Sequence, residues 1–140
     1  MSRWVIDASV ALKWLVPEEG SEAAESWLLE TALLVPELLF VEISSALWKR
    51  VRRGEMTLDR AQSLLRALSG FGLRVHRDRA LCEAALGIAS TGATTVYDAL
   101  YLALALREEA PLVTADSKLH AAMSARRPDL VRRLVDLPTG

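Results

Sequence analysis

The chain has 140 residues, of which 51% are hydrophobic and 25% are charged, so its composition is that of one folded domain and not of a disordered segment. Its 17 Lys and Arg residues nearly balance its 18 Asp and Glu residues, and the formal net charge of −1 gives no sign of a nucleic-acid or membrane partner. A single cysteine, Cys82, excludes an internal disulfide framework and a metal site built from several cysteines.

No stretch of the sequence predicts a membrane span or a signal peptide. The chain reaches a carboxylate at Asp7 before any long apolar segment develops. The most apolar later stretch, residues 94–106, is too short to cross a bilayer and contains Asp98. We therefore expect one domain over residues 1–140, located in the cytoplasm.

In the first half of the chain, short apolar runs alternate with amphipathic segments. Residues 3–6 form a predicted strand that ends at Asp7, and a second strand at residues 33–35 ends at Pro36. Gly54 is in the position that ends a long helix. The predicted helices of this half are residues 9–15, 21–31, 37–53 and 58–69.

The second half continues the same alternation. Predicted strands cover residues 73–76 and 111–114, with a last strand within residues 130–137. The predicted helices are residues 79–89, capped by Asp78, and residues 95–108 and 117–125. Short strands that alternate with helices predict an α/β fold, a helix-rich three-layer α/β/α sandwich with a short parallel sheet.

Two carboxylates directly follow predicted strands. Asp7 follows the first strand, and Asp116 follows the strand at residues 111–114. Open parallel sheets bind ligands just beyond the carboxyl ends of their strands, so we expect both side chains in one region. Each of them could instead cap the helix that follows it.

Two further carboxylates lie within apolar helical segments. Glu42 is the only charged residue between Glu37 and Lys49, and Asp98 is surrounded by Val, Tyr, Ala and Leu. Neither has a cation three or four residues away, and a position inside a helix argues against capping for both. A lone buried carboxylate costs several kcal/mol unless a partner or a metal compensates it. A surface position for each is the alternative.

The chemistry of several carboxylates without a histidine or thiol ligand is that of a site for a hard divalent cation, Mg²⁺ or Mn²⁺. Mg²⁺ keeps several waters and meets phosphate oxygens, so hydrolysis of a phosphodiester by an activated water is the natural reaction.

Tyr97 and Tyr101 lie four residues apart in the same segment as Asp98, and we expect the two rings to pack together.

Four acidic segments resemble, in order and approximate spacing, the acidic motifs of PIN-domain nucleases. The short chain looks most like a toxin ribonuclease of the VapC type, and the resemblance extends over essentially its whole length. The segments are Val-Ile-Asp-Ala-Ser at residues 5–9, Val-Glu-Ile-Ser-Ser-Ala-Leu at 41–47, Tyr-Asp-Ala-Leu-Tyr-Leu-Ala-Leu-Ala at 97–105 and Leu-Val-Thr-Ala-Asp at 112–116.

The resemblance implies an endoribonuclease with an acidic metal site. Asp7, Asp98 and Asp116 would bind Mg²⁺ or Mn²⁺ directly or through water, and Glu42 would complete the catalytic quartet and help to position a metal-bound water. It also implies an RNA substrate, a homodimer, and a cognate antitoxin protein that covers or invades the acidic site.

Hydroxyl and arginine residues extend this assignment. Ser9 and Thr114 match small hydroxyl positions of the family and could steady a ligand carboxylate, with ordinary turn hydrogen bonds as the alternative. Arg50, Arg52 and Arg53 could contact RNA phosphates, since an acidic pocket alone would repel RNA, or they could simply be solvated at a helix end.

Two other functions remain open from the sequence. The first is another Mg²⁺-dependent phosphotransfer or phosphatase domain of the α/β class, although Asp7-Ala8-Ser9 lacks the second aspartate of an Asp-x-Asp motif. The second is a PIN-like fold that binds a partner without catalysis. Acidic residues at all four positions argue against the second.

Overall fold

The computed structural model describes residues 2–26, 32–92 and 94–136 of the chain. In chain order, its elements are β1 (Arg3–Ile6), α1 (Ala8–Leu15), α2 (Ser21–Ser26), β2 (Ala32–Pro36), α3 (Leu38–Arg52), α4 (Leu58–Leu68), β3 (Arg74–His76), α5 (Cys82–Ser90), α6 (Val96–Glu108), β4 (Leu112–Thr114), α7 (Ser117–Ser124) and β5 (Val131–Arg133). The same described ranges contain three short 3₁₀ turns, at Asp78–Leu81, Pro128–Leu130 and Leu134–Asp136.

All five strands run parallel in one sheet of order β3-β2-β1-β4-β5. Right-handed crossovers therefore place α1 to α4 over one face and α5 to α7 over the other. From β1 the chain extends the sheet in one direction through β2 to β3. It then returns and places β4 on the other side of β1, so the strand order reverses between β1 and β4. The predicted sandwich class is confirmed, and this reversal is where such a sheet forms a ligand crevice.

The core fills both faces of this sheet. Val5 and Ile6 of β1 and Leu112 and Val113 of β4 are fully buried, as expected for strands covered on two sides. Helix α6 is buried along residues 99–105 and packs over β1 and β2. In the described ranges, no helix combines the length and the apolar character needed to cross a membrane.

Most predicted boundaries agree with the structure to within one or two residues, and two predictions need comment. Asp78 does not cap a helix over residues 79–89: it begins a 3₁₀ turn, and α5 starts at Cys82. Its Oδ1 accepts instead from the backbone N–H of Leu38 at 3.0 Å and so caps α3. The predicted helix over residues 21–31 is observed as Ser21–Ser26, and residues 27–31 lie outside the described residues.

Candidate active site

The point where the strand order reverses brings two of the predicted carboxylates to one edge of the sheet. Asp7 follows β1 directly, and Asp116 comes two residues after the last residue of β4. The two strands are hydrogen-bonded neighbours, with Ile6 opposite Val113. Each carboxylate also caps a helix, since Asp7 precedes α1 and Asp116 precedes α7.

Asp7 is almost completely buried, with 4% of its surface exposed. Its Oδ1 accepts from the hydroxyl of Ser9 at 2.6 Å and from the N–H of Val10 at 3.2 Å. Its Oδ2 accepts from the hydroxyl of Thr114 at 2.5 Å. Burial, with a smaller contribution from repulsion by Asp116, raises the pKa of Asp7 to about 6 although these hydrogen bonds lower it.

The hydroxyls of Ser9 and Thr114 connect the two strand ends. The Ser9 oxygen accepts from the N–H of Ala115 at 2.9 Å, and the Thr114 oxygen accepts from the N–H of Asp116 at 2.9 Å. Both hydroxyls therefore bond Asp7 on one side and the backbone that leads to Asp116 on the other. Ser9 and Thr114 thus make the ordinary turn hydrogen bonds that were one alternative from the sequence. The same hydrogen bonds orient the carboxylate of Asp7, a candidate metal ligand, which was the other alternative.

Asp116 is more open than Asp7. Its Oδ1 accepts from the N–H groups of Lys118 at 2.8 Å and Leu119 at 3.4 Å, which fixes the carboxylate at the start of α7. Capping and membership of an acidic cluster are thus compatible for this residue, because a carboxylate has lone pairs left after it caps a helix.

Asp98 is the third residue of α6 and is half-buried. Its N–H donates to the hydroxyl of the N-cap residue Thr95 at 3.1 Å, so the first turn of the helix holds it in place. Thr95, and not Asp98, caps α6, as a position inside the helix implied, and the partial positive charge of the first turn favours the carboxylate of Asp98. Burial raises the pKa of Asp98, and repulsion from Asp116 raises it further.

Glu42 is in the N-terminal half of α3 and accepts a hydrogen bond from a buried tyrosine. The hydroxyl of Tyr101, on α6, lies 2.6 Å from Oε1 of Glu42. Burial raises the pKa of Glu42, this hydrogen bond lowers it, and repulsion from Asp98 and Asp7 raises it. A solvated surface position was the alternative for Glu42, and it does not fit a carboxylate that is hydrogen-bonded to a buried tyrosine.

Tyr101 is the residue of this site that the sequence reading missed. It is 1% exposed whereas Tyr97 is 64% exposed, so the two rings differ in environment, and their packing together stays a prediction. The available signal was the apolar run of residues 99–105, in which a tyrosine hydroxyl needs a partner once the helix is buried.

Electrostatic repulsion links the four carboxylates in pairs, and we call the four together the acidic centre; Asp78, which caps α3, also raises the pKa of Glu42. Asp116 raises the pKa of both Asp7 and Asp98, and Asp98 and Asp7 both raise the pKa of Glu42. Their donor atoms are all hard oxygens, which suits Mg²⁺ or Mn²⁺. Within the described residues, no three His, Cys, Asp or Glu side chains form a ready-made cation group. An ion that keeps several waters and takes few protein ligands fits such an arrangement better than one that needs a closed cage.

The predicted RNA-contacting arginines lie elsewhere on the molecule. Arg52 and the C-cap residue Arg53 follow Glu42 by ten and eleven residues, which is about 15 Å along α3. Arg50 lies 3.3 Å from Glu18 and 3.7 Å from Glu55, and the guanidinium of Arg52 stacks 4.9 Å from the ring centroid of Trp48. The structure therefore does not bring these residues into the acidic centre.

Comparison with known sequences points to one family. The sequence profile of the family described as PIN domain matches residues 4–123. A protein from Pyrobaculum aerophilum named Ribonuclease VapC3 is 37% identical over 118 residues, which cover 82% of this chain and 90% of that protein. Ribonuclease VapC1 of Mycobacterium tuberculosis H37Rv is 32% identical over 124 residues, covering 87% of this chain and 92% of that protein.

Solved structures are similar in fold. A crystal structure of PAE2754 from Pyrobaculum aerophilum has a TM-score of 0.71 at 24% identity, and the match covers 96% of this chain and 92% of that one. A chain from a toxin–antitoxin complex of Klebsiella pneumoniae has a TM-score of 0.67 at 17% identity, covering 93% and 96% of the two chains. At these identities the likeness shows the fold alone.

Proposed function

This chain belongs to the PIN-domain family, and from that premise we propose that it is an endoribonuclease that hydrolyses RNA phosphodiester bonds with Mg²⁺ or Mn²⁺. The observation that carries the proposal is the placement of a buried Asp7 and of Asp116 at neighbouring strand ends where the strand order reverses. Asp98 repels Glu42 and is itself repelled by Asp116, which links both residues to this edge of the sheet. Carboxylates held together against their own repulsion are what a divalent cation stabilises. Two relatives above 30% identity carry the name ribonuclease, which favours RNA as the substrate.

We assign the metal to Asp7, Asp98 and Asp116, which would hold it directly or through water. A bound divalent cation would supply Lewis acidity and lower the pKa of a water. The chain's own residues do the rest: Ser9 and Thr114 hold the Asp7 carboxylate in one orientation. Asp116 is held by the first turn of α7.

Glu42 is the catalytic residue that we do not assign to the metal. Its raised pKa makes it a better proton acceptor than an ordinary exposed glutamate. The Tyr101 hydroxyl fixes one of its oxygens, which leaves the other to orient a water or to accept its proton. This division gives the four carboxylates different roles because their surroundings differ.

Control by a second protein is the other part of the proposal. A toxin–antitoxin complex is among the structures with this fold, and the named relatives are VapC ribonucleases, so we propose a cognate antitoxin as a partner. The expected observation is a small protein, encoded beside this chain, that co-purifies with it and blocks cleavage. Homodimer formation is also proposed, and the mass of the purified protein in solution tests it.

Cleavage of a single-stranded RNA by the purified chain tests the enzymatic proposal directly. We expect products with MgCl₂ or MnCl₂, none with EDTA, and none from Asp98→Asn, because an amide is a poor substitute for an anionic ligand. Asp59→Asn, an exposed residue on α4, makes the same chemical change away from the site and should leave cleavage intact. Equal activity of Asp98→Asn and the parent would refute the site assignment, and a parent that cleaves no RNA would refute the function.

A further inference from the structure

A pocket of about 740 Å³ opens between α7 and the end of α5, with Gly92 and Thr94 at its border. This volume is in the range of small-molecule sites. None of the four carboxylates lines the pocket. Among the residues that the structure describes, its lining is Ile88, Thr91, Gly92, Thr94, Lys118, Ala121, Ala122, Ala125 and Arg126.

One wall of the pocket is fixed by Arg126. Its guanidinium donates to the carbonyl of Ile88 at 3.1 Å and to the hydroxyl of Thr91, which connects the end of α7 to the end of α5. The hydroxyl of Thr91 also donates to the carbonyl of Ile88 at 3.1 Å. The guanidinium of Arg126 is therefore already hydrogen-bonded within the protein. The other cation of the lining is Lys118, at the start of α7.

Two residues of the lining adjoin residues that position the acidic centre. Lys118 follows Asp116 by two residues and donates its backbone N–H to that carboxylate at 2.8 Å. Thr94 directly precedes Thr95, the N-cap of the helix that carries Asp98.

We propose that this pocket is a nucleoside subsite, which holds one base and its ribose beside the phosphodiester that is cleaved. The side chains of Ile88, Ala121 and Ala125 present aliphatic surface to the face of a base, a contact that pockets for extruded bases commonly use. The hydroxyl of Thr94 suits a ribose hydroxyl or a base edge. The Lys118 ammonium suits the adjoining phosphate and offsets the repulsion between RNA and the acidic centre.

The inference rests on the proposed ribonuclease function and assigns part of its substrate site. It predicts that the identity of one nucleotide near the cleaved bond matters, because a bounded pocket accepts bases of different size unequally. Phosphate contacts alone carry no such preference.

Filling the pocket tests the proposal. Ala125→Leu adds a branched side chain to its lining, and Ala67→Leu makes the same change on the exposed face of α4. We expect Ala125→Leu to lower kcat/KM for a single-stranded RNA by roughly tenfold, mainly through KM, and Ala67→Leu to have no effect. Melting curves, Mn²⁺ titration and solution mass should be unchanged in both variants.

Cross-linking supplies a second measurement that does not depend on turnover. The Asp98→Asn protein is irradiated with an RNA that contains 4-thiouridine, and the cross-linked tryptic peptides are identified. We expect cross-links in the peptide of residues 119–126, and their loss in the Ala125→Leu form.

The outcomes separate the two proposals. If the parent cleaves RNA, Ala125→Leu cleaves it equally well and the cross-links map to other peptides, the subsite is refuted while the ribonuclease stands. If Ala125→Leu instead changes the solution mass and leaves RNA binding intact, the pocket belongs to a protein interface and the proposal is wrong. If the parent neither binds nor cleaves RNA, the proposed function itself has failed. Should Ala125→Leu not fold, Ala121→Leu replaces it.

Discussion

The buried carboxylate of Asp7 is destabilised when it is charged, and its hydrogen bonds offset this only in part. The pKa of Asp7 is raised from 3.8 to about 6, so the folded protein binds the proton more tightly than the unfolded chain does. For a group shifted in this direction, stability falls as the pH rises from about 4 to about 6 and stays low above that. At 1.36 kcal/mol per pKa unit, the loss through Asp7 alone is at most about 3 kcal/mol in the metal-free protein.

Asp7→Asn should therefore stabilise the metal-free protein at pH 7.5 and do so much less at pH 4.5, where the parent is already protonated. Urea unfolding in EDTA at the two pH values measures the difference, with Asp59→Asn as the surface control. Adding MgCl₂ should stabilise the parent but not Asp7→Asn. A stabilisation that is equal at both pH values would contradict the buried charge as its cause.

The hydrogen bond between Tyr101 and Glu42 gives a second prediction for single residues. Tyr101→Phe removes a bond to a charged group, which is worth about 1.5–3 kcal/mol, so we expect the cleavage rate to fall by roughly tenfold or more. Because that bond lowers the pKa of Glu42, its loss should also move the acid limb of the rate profile to higher pH. Rates across the pH range at saturating RNA measure both effects.

Tyr97→Phe is the matched control for this experiment, since Tyr97 is on the same helix and 64% exposed. It should leave the pH profile unchanged. A Tyr101→Phe variant that keeps both the rate and the pH profile of the parent would mean that the tyrosine only fills space, and its role in positioning Glu42 would be rejected.

The difference between Asp7 and Tyr101 shows how far residues of this site can be predicted from a sequence. Asp7 and Asp116 follow apolar strands, so their shared edge is implied by local patterns and the rule for parallel sheets. The partner of Tyr101 lies 59 residues away on another helix. That contact depends on how α3 and α6 pack over the sheet, which no local spacing contains.

At the scale of elements, the first turn of α6 holds Asp98 in position. Thr95→Ala removes the N-cap hydroxyl that accepts from the N–H of Asp98 at 3.1 Å. Such a loss costs about 1 kcal/mol of stability. Because the carboxylate moves with its helix turn, we also expect cleavage to fall by roughly tenfold, measured at saturating Mg²⁺.

The chain offers a close control for this prediction. Thr57 caps α4 with the same geometry, accepting from the N–H of Arg60 at 3.1 Å, and lies outside the acidic centre. Thr57→Ala should lower the melting temperature to a similar extent and leave cleavage unchanged. If both variants lose activity equally, the effect of Thr95 is one of general stability and not of Asp98 placement.

The ends of helices could be predicted where the capping residue is local in sequence. They were harder to predict where a residue distant in sequence supplies the cap. Thr57 and Gly54 mark a helix start and a helix end, and the structure follows them closely. Asp78 carries an equally good local signal for an N-cap, yet its carboxylate bonds Leu38, 40 residues earlier in the chain. The start of α3 needed a partner because Glu37 makes no side-chain cap there, and folding brings Asp78 to it.

At the scale of the whole molecule, the net charge of −1 conceals a separation of charge. The carboxylates of the candidate site gather at the carboxyl edge of the sheet, whereas Arg52 and Arg53 lie at the far end of α3. RNA that reaches both regions must extend beyond the nucleotides at the cleaved bond. The near balance of charges in the sequence therefore does not exclude a nucleic-acid partner, because binding depends on where the charges lie.

Salt dependence measures whether Arg52 and Arg53 belong to the RNA surface. Each phosphate contact to a single strand contributes about 0.7 to the slope of log K against log salt concentration. Replacing both residues with alanine should lower the slope by about 1.4 if each contacts one phosphate. Fluorescence anisotropy measures the binding, and the inactive Asp98→Asn protein keeps the RNA intact during the measurement.

Arg60→Ala with Arg66→Ala, both exposed on α4, removes the same total charge and should change the slope less. Equal slopes for the two double variants would mean that overall charge, and not these two arginines, attracts the RNA.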